Sequence, residues 1–125
     1  MRIEEHKKAL EEHERNIKRC IDEDLEENQR NIGYNVSQAS TEILSIYLLK
    51  LNLVPVSINF DHRIFKSKEH INSSLPFNFP EKAQILDIMR KIEEKRNLLC
   101  YGKRKPTIET EEMIELYNKL KEIIG

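Results

Sequence analysis

The sequence predicts an all-α protein, an antiparallel four-to-five-helix bundle, and three observations predict it. Gly and Pro are scarce, three and four in 125 residues, and Trp is absent, so the chain lacks the turn residues that a β-sandwich or barrel needs. Apolar residues recur at helical spacing through four long stretches. The connections between those stretches are mostly short, as between antiparallel neighbours. At this length the chain is expected to be one domain, residues 1–125, around one core.

Arg2 to about Glu26 contains no Gly or Pro, and Ile3, Leu10, Ile17, Cys20 and Ile21 mark a thin apolar stripe on a long first helix. A break is expected between Asp22 and Gly33. Ile32, Val36, Ala39, Ile43, Ile46, Tyr47 and Leu49 then mark a second helix of about twenty residues. Its Ser37, Ala39, Ser40, Thr41 and Ser45 are small enough to admit a close neighbour, so this helix is expected to be central. Val54 to Phe60 alternates like a strand but has no pairing partner, and is read as an extended connection. Asp61 to about Asn72 carries a short helical pattern, and Ser73 to Phe79 reads as a loop. Pro80 suits the first turn of the next helix, which runs through Ile85, Leu86, Met89, Ile92 and Leu99 to a stop at Gly102. Thr107 or Thr110 is expected to cap the last helix, whose buried face is Met113, Ile114, Tyr117, Leu120, Ile123 and Ile124.

The 21 basic and 22 acidic residues nearly cancel, which excludes a globally basic nucleic-acid coat. Two cysteines, Cys20 and Cys100, are too few for a disulfide scaffold, and no signal-peptide pattern opens the sequence, so a cytoplasmic location is expected. The most apolar run, Ile43 to Val54, falls short of the roughly 20 residues that cross a bilayer, and no membrane association is expected. His6 and His13, seven apart, lie about 10 Å from each other along a helix and cannot share an ion. His62 and His70 have the same difficulty. No metal site and no cofactor is expected, and His6, His13 and Cys20 read as interface positions beside Ile3, Leu10 and Ile17. The thin stripe leaves room for a second copy, so a homodimer is expected.

One stretch departs from ordinary helix chemistry. From Lys95 to Lys105 there are five basic residues, Lys95, Arg96, Lys103, Arg104 and Lys105, and no acidic one. Such a run suits the phosphates of a nucleotide or RNA. It equally suits the last carbonyls and negative dipole end of a helix.

Arg96-Asn97, with the ring of Tyr101 and then Gly102 shortly after, at the end of the penultimate long helix, resembles the signature of HEPN (higher eukaryote and prokaryote nucleotide-binding) domains. The resemblance extends over nearly the whole chain. It implies a helical bundle that dimerises with the motifs of two subunits facing one cleft. It also implies either a metal-independent endoribonuclease toxin or a binding module that partners a separate minimal nucleotidyltransferase. The family motif is Arg, a polar residue and then His four to six residues after the Arg; here Tyr101 stands where the His would be. In the ribonuclease members the His assists attack of a ribose 2′-hydroxyl while the Arg stabilises the phosphate. A phenol, with an ordinary pKa near 10 against about 6.5 for imidazole, is a poor substitute base at neutral pH. Residues five apart on a helix also point about 140° from each other, so Arg96 and Tyr101 converge only if the helix stops or a second subunit completes the site.

The first expectation is therefore a HEPN-like module that binds nucleotide or RNA phosphates through Arg96 and Asn97, with Lys103 and Arg104 nearby. In it Tyr101 has a structural or binding role. The second is an endoribonuclease with Arg96 as stabiliser and Tyr101 as a weakened acid or base. The third is a non-catalytic dimerisation scaffold in which Arg96 pairs with Glu93 or with an acidic residue of another subunit.

Overall fold

The computed structural model describes residues 2–125. In chain order it comprises α1 (Ile3–Glu23), α2 (Gln29–Lys50), a 3-10 turn (His62–Lys66), α3 (Lys68–Ser74), α4 (Lys82–Cys100) and α5 (Thr107–Ile124). The fold is all-α, with no strand among the described residues. Residues 51–61 connect α2 to the 3-10 turn without a strand, but Val54 to Phe60 is not extended throughout as the sequence predicts: the chain turns at Pro55–Ile58, where the Ile58 N–H donates to the Pro55 carbonyl at 3.0 Å.

The second helix is the central element. Its apolar residues do not stop at one stripe: Ile32, Val36, Ala39, Leu44 and Leu48 are fully buried, and Ser40 is too. A helix apolar on most sides belongs inside. Ser40 and Ser45 tolerate this because their hydroxyls donate to the carbonyls of Val36 and Thr41, at 2.7 and 2.8 Å, which removes the cost of burying a hydroxyl. Neighbours on both sides run antiparallel to it. On α1, His6 meets Glu42 and His13 meets Asn35, so positions rise along one helix as they fall along the other. On α4, Cys100 lies at Gly33 while the Tyr47 hydroxyl donates to the Pro80 carbonyl at 3.2 Å at the opposite end. Gly33 permits the close approach, since a Cβ there would stand 3.0 Å from the Cys100 sulfur and 3.2 Å from Leu99 Cβ. The last helix closes the bundle with Met113, Tyr117 and Leu120 buried. Phe65 of the 3-10 turn, with Leu75 and Phe79 from the loop, is buried in the same core.

Several boundaries differ from the sequence expectation for local reasons. The first helix stops at Glu23, short of Glu26, because the Asp24 carboxylate accepts from the backbone N–H groups of Glu26 and Glu27 and turns the chain. Gly33 falls inside α2. The segment after Asp61 is two elements, split at an extended Ser67 whose hydroxyl accepts from the His70 N–H and caps α3. Ser73 and Ser74 belong to that helix, not to the loop. Pro80 is not in the first turn of α4. It precedes Glu81, which has φ 61°, in a turn closed by the Lys82 N–H donating to the Phe79 carbonyl at 3.2 Å. Neither threonine caps α5. Pro106 takes the cap position, its carbonyl accepting from the Glu109 N–H, and Thr110 is buried with its hydroxyl unpaired.

The α1 stripe faces α2 of the same chain. His6, Ile17 and Cys20 are buried there, so these are intramolecular contact positions and leave little of the stripe for a second copy. No helix among the described residues is long and apolar enough to cross a membrane.

Candidate functional site

The end of α4 presents two faces with different surroundings. Ile92, Arg96 and Leu99 follow one another at spacings of four and three, so Arg96 occupies a position on the core-facing stripe. Its residue exposure is 8%, and its guanidinium carbon lies 5.7 Å from the centroid of the Tyr34 ring on α2. The Arg96 Nε is buried and has no hydrogen-bond partner. The other face carries Glu93, Asn97 and Tyr101, each four residues from the next. All three line a cleft of about 760 Å³ between α1, α2, α4 and the 3-10 turn, and Arg96 does not. The structure therefore brings Asn97 and Tyr101 together and sets Arg96 apart from them. Tyr101 is 63% exposed at the point where the helix has given way to extended backbone.

The five basic residues after Glu94 do not make one patch: Lys95 and Arg96 are successive on α4 and point about 100° apart, while Lys103, Arg104 and Lys105 lie in the loop beyond it. Lys95 turns to α5, where it pairs with Glu109 at 2.5 Å and Glu112 at 3.5 Å. Burial works against its charge, but these carboxylates prevail and hold its pKa above the usual lysine value. Arg104 donates to the Glu26 carbonyl at 2.6 Å. Lys105 donates through Nζ to the carbonyls of Lys103 and Tyr101, at 2.5 and 3.4 Å. Lys103 is exposed, and its ammonium has no partner among the described residues. The loop is fastened to α2 by Gln29, whose amide donates to the Lys105 carbonyl and accepts from its N–H, at 2.5 and 3.0 Å.

The cleft contains groups the sequence did not single out as a site. His62 enters from the 3-10 turn, and its Nδ1 lies 2.8 and 2.9 Å from the two carboxylate oxygens of Glu93. The Glu93 side chain is only 4% exposed, so the imidazole is the partner that makes its burial tolerable. Glu93 is thus engaged by His62, not by Arg96. His13 enters from α1, with Nδ1 2.9 Å from Asn35 Oδ1 and its ring edge-on to Tyr34, centroids 6.0 Å apart. Arg63 and Lys66 stand among the lining residues with the carboxylates of Asp61 and Glu42. Arg63 binds Asp61 through side chain and backbone, which holds the Asp61 carboxyl well below the usual carboxylate range. Lys66 has no ion-pair partner among the described residues.

His62 and Glu93 are 31 residues apart, and only the tertiary fold joins them. The one sequence signal is that Glu93 shares its helix face with Asn97 and Tyr101. Neither cysteine has the environment of a nucleophile, since burial pushes both the Cys20 and Cys100 thiols up. No group of three or more potential metal ligands gathers among the described residues. No family model, no curated protein and no solved structure matches the chain.

Proposed function

We propose that this chain is a HEPN-like module that binds the phosphates and bases of single-stranded RNA, or of a nucleotide, in the cleft at the end of α4. One observation carries this reading: Asn97 and Tyr101 stand on one wall of a polar cleft whose rim holds Lys66, without an ion-pair partner among the described residues, beside the Arg63–Asp61 pair. An exposed phenol offers a stacking surface to a base, an amide offers donors and an acceptor, and an unpaired ammonium offers charge to a phosphate. Lys103 lies just beyond Tyr101 with its ammonium unpartnered among the described residues, whereas Arg104 turns to the Glu26 carbonyl and the Glu27 carboxylate. Arg96 supports the site from behind the Tyr34 ring and does not touch the ligand.

The other versions have less support. An endoribonuclease that pairs Arg96 with Tyr101 needs both in one place, and they face different sides of α4. A scaffold held by an Arg96–Glu93 pair loses its partner to His62. The partnership with a separate nucleotidyltransferase rests on the motif resemblance alone, and co-purification of the two chains tests it.

The binding test is fluorescence anisotropy with a labelled single-stranded RNA over a salt series. Affinity should fall steeply with salt, and Lys66→Ala should shallow the log–log slope by about 0.7. RNA that fails to bind at low salt would sink the reading.

A further inference from the structure

The charges that line the cleft nearly cancel, and two imidazoles decide their sign. Glu42 of α2, Glu93 of α4 and Asp61 at the start of the 3-10 turn supply three carboxylates, and Arg63 and Lys66 supply two permanent cations. With neutral histidines the lining therefore carries a net charge of −1. His13 from α1 and His62 from the 3-10 turn, with the Tyr101 phenol, complete its ionisable groups. One proton on each imidazole turns −1 into +1. Histidine is the side chain that makes such a change between about pH 5 and 8.

Both rings can take that proton without disturbing the fold. Nδ1 of His62 lies against the two oxygens of Glu93, and Nδ1 of His13 against Asn35 Oδ1. The Asn35 amide is held in that orientation, since its Nδ2 donates to the Asn31 carbonyl at 2.8 Å and its Oδ1 also accepts from Asn16 Nδ2 at 3.3 Å. These partners are acceptors, so Nδ1 keeps its hydrogen in either charge state and the second proton goes to Nε2. Neither of these Nε2 atoms has a hydrogen-bond partner among the described residues, and neither is sealed from water as the Nε2 of His6 is. Proton uptake at His13 and His62 thus breaks no hydrogen bond and alters only the charge. His6 pairs with Glu42 through Nδ1, but a second proton on its buried Nε2 would have neither water nor an acceptor. The Tyr34 ring, edge-on to His13, also meets the Arg96 guanidinium.

We infer that RNA binding in this cleft is switched by pH through His13 and His62, whose protonation converts the lining from weakly acidic to basic, an inference that rests on the RNA-binding reading above. A phosphate in the cleft favours the imidazolium form of each ring. The complex then holds more protons than the free protein, so affinity falls as pH rises. A unit charge facing a phosphate about 4 Å away in water changes affinity roughly fivefold, so two charges change it more than tenfold. Above the imidazole range Lys66 is left as the one lining cation without an ion-pair partner among the described residues, and binding is weak.

The test titrates the full chain with a labelled oligouridine lacking terminal phosphates, at constant ionic strength from about pH 8 down to about pH 5.5, a range in which neither its bases nor its phosphodiesters change charge. Anisotropy should show binding more than tenfold tighter at the acid end. Calorimetry of the same binding in buffers of different ionisation enthalpy should show proton uptake, up to about two per bound strand. The double variant His13→Gln, His62→Gln keeps a donor at each position and cannot gain the charge. It should bind across the whole range about as weakly as the unaltered chain does at its alkaline end. Binding that is independent of pH and takes up no proton overturns the switch and leaves the binding module standing, whereas no binding at any pH removes both. Proton uptake that persists in the double variant also overturns it. The pH series and the calorimetry use the unaltered chain, so they decide the matter even if the variant fails to fold.

Discussion

The guanidinium of Arg96 lies against the ring of Tyr34, 5.7 Å from its centroid, and Tyr34 in turn meets the edge of His13, so a cation and two rings form a continuous stack across three helices. The stack joins α4 to α2 and α2 to α1 immediately beside the cleft. A cation over an aromatic face contributes about 0.5–2 kcal/mol, depending on how far water is excluded. The Arg96 stem adds packing, because it occupies a core-facing position.

Arg96→Ala should therefore destabilise the fold by about 1–3 kcal/mol, combining the lost stack with the space left behind. Arg96→Met keeps the stem and removes a buried Nε that has no partner, so it should cost less than about 1 kcal/mol. Urea unfolding midpoints distinguish the two. Equal losses would mean that the charge itself is needed at this position.

Tyr101→Ala should weaken RNA binding by about 1–3 kcal/mol, the usual contribution of one base stacked on an aromatic ring, without altering the salt slope. Tyr101→Phe should change little. Anisotropy titrations at two salt concentrations separate this stacking loss from the electrostatic loss expected of Lys66→Ala.

Gly33→Ala would ordinarily stabilise a helix by about 1 kcal/mol. Here the new methyl group meets the Cys100 sulfur at 3.0 Å and Leu99 Cβ at 3.2 Å, and the Leu99 atom cannot swing away. The net effect should be a loss of about 1–3 kcal/mol. Cys100→Ala in the same chain should recover part of it, and a double-mutant cycle on unfolding free energies measures the recovered part.

Glu81→Gly should raise stability by up to about 1 kcal/mol, because Glu81 sits at φ 61° where an L side chain is strained and glycine is not. A lower unfolding midpoint would show that the Glu81 side chain has a role the backbone angle does not explain.

The carboxyls of Asp61 and Asp87 are both held below their ordinary range, by hydrogen bonds from Arg63 and from Lys91 and Arg90 respectively. A folded-state value below the unfolded one means a contribution present above about pH 4 and lost as pH falls further. Both groups are well exposed, so the combined loss should not exceed about 1 kcal/mol. Melting temperatures from pH 6 down to pH 2 should show a decline that the double variant Asp61→Ala, Asp87→Ala flattens.

The helices were legible because burial leaves a spacing of three and four residues, and α2 announced its central place through its small residues from Ser37 to Ser45. The start of α4 was not, since a left-handed glutamate carries no sequence signature and Pro80 fits a turn as well as a helix. Asn97 and Tyr101 could be placed on one face by counting. Counting also puts Arg96 on the stripe of Ile92 and Leu99, but its charge draws attention to solvent and away from that register. The His62–Glu93 and His13–Asn35 contacts were out of reach, because each joins elements whose meeting depends on the whole bundle.

The clasp between Gln29 and the backbone of Lys105 joins positions 76 residues apart. It uses a side-chain amide as a stand-in peptide group. Because it closes only when the α4–α5 corner and the N-terminal turn of α2 meet, the clasp should be among the last native contacts to form during folding. Gln29→Ala should then hasten unfolding while leaving the folding rate nearly unchanged.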